Sequence, residues 1–409
     1  MPHSDKKNAS TMSSVEFTIL TATLMSIVAI SIDALLPALG FIAKDFAISD
    51  VNQVQLVIST LFLGMAFGQL ICGPLSDALG RKPVLYAGLI IYFIGTIICF
   101  LANDLTMLLI GRIIQGLGVA GPYISAMSLV RDKYKGSDMA KVMSLVMMIF
   151  ILVPAIAPSI GQLILFTANW HGIFILYFFY AFIILMWIWF RLTETLPKEK
   201  RIPFTKTGFL LGFKEVLTNK TTASLTVCMG LIFGCLIGYL NSAQQIFQIQ
   251  FETGELFSVY FGVLALVLGV SSLINSRFVQ KLGMHYIAVR AFQLIIGSSI
   301  LFLATQLFIT EVQLWMFLLF IAAIFFGFGL IFGNLNAMAM EPMGHVAGIA
   351  AAVIGSISSM MSITIGTTIG QLYNNTLIPI TSGFLIMGCL ALALLYYAES
   401  QRKKHIKTS

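Results

Sequence analysis

Charged side chains are scarce in this sequence. They make up 10% of the 409 residues, whereas 58% are hydrophobic and the mean hydropathy is +0.94. A soluble domain usually carries about 25% charged residues, so these apolar residues cannot all fit into one water-soluble core. The composition excludes a cytosolic enzyme, a nucleic-acid binder and a disordered protein. The long unbroken apolar runs also exclude a membrane β-barrel, whose strands alternate apolar and polar residues.

Sequence patterns for metal, redox and nucleotide chemistry are missing as well. The five cysteines fall in apolar stretches and form no CxxC pair, which argues against a disulfide framework or a zinc site. There is no GxxxxGK[ST] sequence for a nucleotide-driven pump, and no HExxH, paired aspartates or Ser/His set for an intramembrane enzyme. We therefore expect neither enzymatic activity nor a bound cofactor. The expected energy source is an ion gradient.

What the sequence does contain is a series of apolar runs separated by polar breaks. A membrane-spanning helix needs about 20 apolar residues, and the runs predict twelve such helices in an all-α polytopic membrane protein. The predicted spans are 17–43, 51–74, 84–102, 105–128, 140–165, 172–192, 222–250, 257–280, 287–308, 312–340, 347–373 and 376–398.

The longest polar stretch divides these spans into two sets of six. We predict an N-terminal bundle at 1–192, a cytoplasmic linker at 193–221 and a C-terminal bundle at 222–409. Two six-helix halves suggest an internal duplication, a common transporter architecture, with a central cavity between the bundles.

The basic residues predict the orientation of the chain. Cytoplasmic loops retain Lys and Arg, and with both termini placed inside, every Lys and Arg except Lys44 and Arg112 falls on the cytoplasmic side. The net charge of +7 is therefore mainly a signal of topology.

The connection between the second and third spans carries a specific motif. Residues Gly73–Pro83 read GPLSDALGRKP and resemble the signature loop of the major facilitator superfamily. In that family the loop locks the two halves together in the outward-facing state, so the resemblance implies gating roles for Gly73, Asp77, Gly80 and Arg81. The alternative is a charged turn that only sets topology.

Three further motifs resemble the same superfamily. In the fourth span, Arg112 and Gln115 match a motif whose side chains face the central cavity. The fifth span, PAIAPSIGQ over 154–162, resembles the exporters' antiporter motif through Pro154, Pro158 and Gly161, although Ala157 and Gln162 stand where glycines are usual. The element DALLPAL at 33–39 is similar to the bicyclomycin/chloramphenicol-resistance branch of drug:proton antiporters.

Two ionisable residues lie deep within predicted spans. A charge at a helix centre costs about 2.5–3.5 kcal/mol on insertion scales, so Asp33 and Arg112 require a function or an internal partner. One interpretation makes them the proton-coupling pair, which also contacts substrate. The other is a buried Asp–Arg pair that fixes helix packing.

Polar residues in other spans are candidate substrate contacts. The amides and the tyrosine can hydrogen-bond a substrate, or they can bridge helices instead. These candidates are Gln115, Tyr123, Asn241, Gln244, Gln245, Asn334 and Asn336.

The resemblance implies a secondary transporter that exports small amphipathic molecules or drugs in exchange for protons, by alternating access. We expect it in the bacterial inner membrane, surrounded by lipid, as a monomer without nucleic-acid partners. A dedicated exporter of a metabolite such as a siderophore and a proton-coupled uptake symporter remain open. The charge of the substrate is also open, since Arg112 suits an anion and Asp33 a cation.

Overall fold

Twelve long helices account for most of the residues that the structure describes. The computed structural model describes residues 12–201, 206–309 and 311–408, so most of the predicted cytoplasmic N-terminus lies outside the described residues. The long helices are Ser14–Asp33 (α1), Leu56–Leu79 (α2), Arg81–Phe100 (α3), Leu105–Lys133 (α4), Gly136–Thr167 (α5), His171–Arg191 (α6), Lys220–Gln244 (α7), Phe257–Leu282 (α8), Met284–Phe308 (α9), Leu314–Met340 (α10), Ala347–Gln371 (α11) and Ile378–Thr408 (α12).

The helices have the length and apolarity of membrane spans. Within the described ranges, eleven stretches are long and apolar enough to cross a bilayer, and α5 adds a shorter apolar stretch over Leu152–Thr167. Only helices and closed barrels satisfy all their backbone hydrogen bonds in hydrocarbon. The chain is therefore a multi-pass membrane protein, and the predicted all-α fold is confirmed.

The two sets of six helices repeat the same packing. In the first set α1 contacts α5, α2 contacts α4, and α3 contacts both α4 and α6. In the second set the equivalent pairs are α7 with α11, α8 with α10, and α9 with α10 and α12. This repetition is what an internal duplication produces, and it gives the two-bundle arrangement expected from the sequence.

The halves meet along two helix pairs, α2 with α11 and α5 with α8. We call the end of α2 at Gly80 the motif end and the opposite end, at Asn52, the amide end. Near the middle of α2, the Ser356 hydroxyl of α11 donates to the Ala66 carbonyl at 2.9 Å. On the other pair, Ser258 of α8 donates to the Pro158 carbonyl of α5 at 3.2 Å.

The structure adds local detail to two predicted segments. The first predicted span is broken, because α1 stops at Asp33 and a 3-10 turn at Leu36–Ala38 leads into a short helix at Leu39–Asp45. Pro37 explains the break, since proline has no N–H to continue the helical hydrogen bonds. The predicted loop at 73–83 is largely helical, and only Gly80, at φ +105°, separates α2 from α3.

Glycine allows the closest helix contacts in the first half. A Cβ at Gly116 of α4 would collide with the carbonyl oxygen of Leu61 and approach the Met65 nitrogen to 2.8 Å. Gly64 of α2 faces α4 in the same way, at Ile113. Small residues at such crossings let two membrane helices approach backbone to backbone.

We expect Gly116→Ala to lower the midpoint of thermal unfolding in detergent, because overpacking a close contact typically costs about 1–3 kcal/mol. Gly297→Ala on α9 is the matched control, since a Cβ there meets nothing within 4 Å. An equal midpoint for the two variants would contradict this account of the α2–α4 contact.

Candidate functional site

Asp33 occupies the break in α1, between the two halves. Its side chain is 5% exposed, and among the described residues the carboxylate has neither a hydrogen-bond nor an ion-pair partner. The 3-10 turn that follows it contacts α7 of the second half. On the other side, a Cβ at Gly161 of α5 would collide with the Ala34 carbonyl. The deep carboxylate predicted from sequence therefore lies at a junction of helices from both halves.

Arg112 is fully buried, at 0% exposure, inside the first half. Its guanidinium donates to the carbonyl oxygens of Ser31 on α1 at 2.9 Å and Val57 on α2 at 3.0 Å. A third bond, of 2.9 Å, reaches the Gln115 side-chain oxygen, and Gln115 in turn donates to Thr96 of α3 at 2.8 Å. One guanidinium thus connects four helices.

The direct Asp33–Arg112 ion pair that the sequence left open does not form within the described ranges. The donors of Arg112 are taken instead by two backbone carbonyls and by Gln115. Gln115 is also 0% exposed, so in this conformation it contacts neighbouring helices rather than a space between the halves. Tyr123, further along α4, is partly exposed and has no polar partner within the described chain.

Polar side chains close the amide end between the halves. Gln55, just before α2, donates to Gln245, just after α7, at 2.5 Å, and Gln245 donates to the Asn52 side chain at 3.0 Å. One turn deeper, Asn241 of α7 donates to Ser59 of α2 at 2.9 Å. We call this cluster the amide gate; it comprises Asn52, Gln55, Ser59, Asn241, Gln245, Thr367 and Gln371.

Helix α11 completes the amide gate. Thr367 donates to Ser59 at 2.9 Å, and the Gln371 side chain donates to the Asn52 carbonyl at 2.7 Å. Nearby, Tyr373 donates to Gln250 at 3.1 Å, and burial raises the pKa of Tyr373 to about 12. Its hydroxyl therefore stays protonated at neutral pH, and the amide gate and this adjacent bond carry no charge.

The remaining predicted amides do not form one group. Asn334 is buried in the second half and donates to Asn275 of α8 at 2.8 Å, whereas Asn336 is exposed. Gln244 donates to Gln248 at 3.0 Å, and its own side-chain oxygen is buried without a partner among the described residues. The structure therefore places Asn241 and Gln245 together and separates Asn334 and Asn336 from them.

The motif end is held by charge. Arg81 donates to Asp77 at 2.6 Å and to both oxygens of Asp132 at the end of α4, at 2.8 and 3.2 Å. Asp77 also faces the second half, since a Cβ at Gly348, at the start of α11, would lie 2.7 Å from its carboxylate. Of the predicted gating residues, Gly73 and Asp77 thus face α11, Gly80 lies against the linker, and the bonds of Arg81 stay within the first half.

Glu194 in the linker fastens this motif to the following segment. Its carboxylate accepts from the backbone N–H groups of Arg81 at 3.0 Å and Lys82 at 3.1 Å. These are the first N–H groups of α3, which have no partner within the helix. A negative charge at a helix N-terminus also interacts favourably with the helix dipole, so Glu194 caps α3.

The motif segment of α5 contacts α8 of the second half on one side and the break in α1 on the other. Pro154 and Pro158 sit inside the helix, and Pro158 accepts from Ser258 as described above. A Cβ at Gly262 of α8 would lie 2.5 Å from the Ala155 carbonyl oxygen. The motif therefore shapes the α5–α8 contact as well as the contact with the break in α1.

Sequence reasoning missed Gln55, Ser59, Asp132 and Glu194. A signal existed for the first two, because Gln55 and Ser59 are four residues apart, as are Asn241 and Gln245. Side chains four residues apart lie on one face of a helix, so two matched polar faces were readable. The role of Glu194 had no such signal, since a linker glutamate resembles any solvated charge.

Comparisons with known proteins agree with this arrangement. Residues 20–367 match the family model described as the Major Facilitator Superfamily. The "Bicyclomycin resistance protein homolog" of Haemophilus influenzae is 27% identical over 381 residues, covering 93% of this chain and 94% of that protein. The "Multidrug resistance protein MdtL" of Escherichia coli O157:H7 is 30% identical over 342 residues, covering 83% of this chain and 84% of that protein.

Solved structures share the fold. A crystal structure of a D-xylose-proton symporter superposes with a TM-score of 0.74 at 15% identity, covering 94% of this chain and 97% of the other. At this identity the likeness concerns the fold alone.

We expect Glu194→Ala to speed trypsin cleavage of the detergent-solubilised protein after Lys198 or Arg201. Each hydrogen bond to a charged group contributes about 1.5–3 kcal/mol, and losing the cap frees the linker from α3. Cleavage should accelerate about tenfold, the factor that corresponds to 1.4 kcal/mol.

Glu255→Ala serves as the control, because Glu255 is an exposed glutamate in a connection remote from the motif end. Unchanged cleavage of Glu194→Ala would show that the linker is not held through this carboxylate.

Proposed function

Because the chain belongs to the major facilitator superfamily, we propose that it is a secondary transporter that exports small amphipathic molecules in exchange for protons. The observation that carries the proposal is Asp33, a buried carboxylate without a partner in the described chain, placed between two bundles that are joined at both ends. The drug-resistance names of the relatives from Haemophilus influenzae and Escherichia coli support efflux as the direction.

We propose the bacterial inner membrane as the location, with the motif end in the cytoplasm. The relatives are bacterial, and the basic residues favour this orientation. The amide gate then faces the outside. The units that move are residues 1–192 and 222–409, with 193–221 as the connection, and a single chain suffices.

Asp33 is the proposed proton carrier. Desolvation disfavours a charged carboxylate, while a substrate cation or entering water favours it, so binding and protonation compete at one group. A proton crossing 100 mV contributes about 2.3 kcal/mol, and each pH unit about 1.4 kcal/mol. One proton per cycle at these two values therefore sustains a substrate gradient of roughly a few hundredfold, at tenfold per 1.4 kcal/mol.

Arg112 supports the carrier from within the first half. Its bond to the Ser31 carbonyl fixes the last turn of helix α1, two residues before Asp33. In this proposal Arg112 positions α1 and supplies nearby positive charge, and its contact with substrate requires a conformation in which Gln115 and Tyr123 become accessible.

The two ends act as alternating gates of different chemistry. The motif end relies on the charges of Arg81, Asp77 and Asp132, whereas the amide gate is neutral. The amide gate therefore adds no charged group, and we assign the pH dependence of transport to Asp33. The residues Asn241 and Gln245 accordingly serve closure of the outer side, although they were first expected to contact substrate.

Two other transport modes are separated by the same measurements. A dedicated metabolite exporter would transport one compound in a panel of cationic, neutral and anionic molecules. An uptake symporter would accumulate substrate inside cells when a proton gradient is imposed, which would overturn the proposed direction.

Asp33→Asn should abolish the stimulation of substrate movement by an imposed pH gradient in proteoliposomes, because the amide cannot take up a proton. Asp104→Asn is the matched control: Asp104 is an exposed cap that accepts from Met107 at 2.8 Å, and asparagine caps a helix equally well. Full coupling by Asp33→Asn would refute the proton-carrier proposal.

The combined change Gln55→Ala and Gln245→Ala should open the amide end. Each neutral hydrogen bond contributes about 0.5–1.5 kcal/mol, so its loss raises the outward-open population several-fold. The measurement is the labelling rate of Thr367→Cys by a membrane-impermeant maleimide, in a chain whose five native cysteines are replaced by alanine.

Gln306→Ala provides the control for this experiment. Gln306 donates to Thr381 at 3.1 Å within the second half, so its loss removes an amide without touching the junction of the halves. If both sets of changes left the labelling rate at the parent value, the amide cluster would not be a gate.

A further inference from the structure

A cavity of about 190 Å³ lies between α3 and α6, away from the junction of the two halves. Its floor is formed by Thr96 of α3 and Phe174 of α6, which are both buried. Its rim is formed by apolar side chains that are partly or largely exposed: Ile97, Phe100, Ile175 and Phe178. Because both helices have the length and apolarity of membrane spans, the mouth opens into hydrocarbon. We call this cavity the α3–α6 groove.

Two aromatic contacts bound the groove along the helices. At the amide end, Phe100 meets His171 edge-on with ring centroids 6.0 Å apart. Toward the motif end, Phe93 packs on Phe178 with centroids 4.9 Å apart. Phe93 and Phe100 are two turns apart in an unbroken helix, which corresponds to about 10 Å at 1.5 Å per residue. The hydrocarbon core is about 30 Å thick, so the groove lies within one leaflet, at the amide end.

The groove has no free polar group to hold water. Thr96 is the one polar side chain among the described residues that line it. Its hydroxyl donates to the Tyr92 carbonyl at 2.8 Å and accepts from Gln115 at 2.8 Å. A water in a cavity needs 2–4 polar partners, whereas an apolar cavity of about 150 Å³ stays dry and takes up a small apolar molecule. The chemistry of the lining therefore favours an apolar occupant.

The shape and position of the groove select among apolar occupants. A helix of a partner protein is about 10–12 Å across, which is too wide to enter a cavity of this volume. A single hydrocarbon chain is narrow enough, and hydrocarbon is the medium at the mouth. The described lining contains no charged side chain, so a lipid there would be held by its chain and not by its head group.

We propose that the α3–α6 groove is a binding site for one acyl chain of a phospholipid from the leaflet at the amide end. The chain lies on Thr96 and Phe174, between the two aromatic contacts, and the head group extends past Phe100 toward the membrane surface. With the orientation proposed above, this is the outer leaflet.

The bound chain supports the polar network of the first half. Thr96, on the floor of the groove, accepts from Gln115, and Gln115 accepts from Arg112 at 2.9 Å. A chain in the groove therefore packs against the α3 residue that anchors this network. We expect added phospholipid to raise the midpoint of thermal unfolding of the detergent-solubilised protein. The inference does not depend on the substrate or on the direction of transport.

Ile97→Trp tests the site because the larger side chain fills the groove from its rim. The measurement is native mass spectrometry of the delipidated full chain, titrated with phosphatidylethanolamine or phosphatidylglycerol of identical acyl chains. The parent should bind a first phospholipid with equal affinity for the two head groups. Ile97→Trp should weaken this binding about tenfold, which is equivalent to 1.4 kcal/mol, and its unfolding midpoint should no longer respond to added lipid.

Ile94→Trp is the matched control. Ile94 lies one turn earlier on α3 and is 49% exposed, compared with 46% for Ile97, but it does not line the groove. The same residue is thus added to the same lipid-facing helix, and lipid binding should stay at the parent value. Ile175→Trp, on the opposite rim, gives a second way to fill the groove and should reproduce the effect of Ile97→Trp.

Three results would overturn the proposal. One is equal lipid affinity of the parent and both groove-filling variants. Another is a first lipid that binds through its head group, seen as a strong preference for phosphatidylglycerol. The third is a dimer of the parent that the groove-filling variants lose, which would make a second copy the occupant. None of these results bears on Asp33, so the proposed function is tested separately.

Discussion

The absence of water from the bilayer core forces buried polar groups of this chain to find their partners on other helices. Arg112 shows the consequence most directly. Its buried guanidinium is shielded from water, so it donates to the carbonyls of Ser31 and Val57 and to the side chain of Gln115. Through these bonds, and through the bond from Gln115 to α3, it connects α1, α2, α3 and α4. Asp33, in contrast, is left without a partner in the described chain. A rigid first half and one unsatisfied carboxylate at its edge are thus two results of the same constraint.

The two ends of the molecule are held by different kinds of interaction. At the motif end Arg81 is surrounded by Asp77 and Asp132, and Glu194 ties the linker to the start of α3. At the amide end neutral side chains bridge α2, α7 and α11. The charge-assisted bonds of the motif end therefore fix the first half and the linker, whereas the neutral bonds of the amide end join the two halves.

Glycine and proline residues determine where helices approach each other closely or end near these junctions. Gly116 and Gly64 bring α2 and α4 together, which places the α2 carbonyls within reach of Arg112. Pro37 ends α1 just after Asp33 and turns the chain toward α7. Gly80 lets α3 start directly after α2, so that Arg81 can return to Asp77 four residues earlier. At each of these places the backbone geometry is what allows the polar contact to form.

The sequence by itself determined the class of protein, the twelve spans, their division into two sets and the unusual character of Asp33 and Arg112. Each span can be recognised locally from the length of its apolar run. A charged residue within such a run stands out without any knowledge of its neighbours in space. Motif residues such as Asp77 and Arg81 were readable because they are close in the chain.

The hydrogen-bond partners of the polar residues could not be read from the sequence. Arg112 binds carbonyls and not Asp33. Asn241 and Gln245 bond Ser59 and Gln55, and Glu194 caps α3. Each of these contacts depends on which parts of the chain lie side by side. Those contacts join residues up to about two hundred positions apart, and only the tertiary structure decided them, because in a membrane the partner of a polar group is set by helix packing and not by its place in the chain.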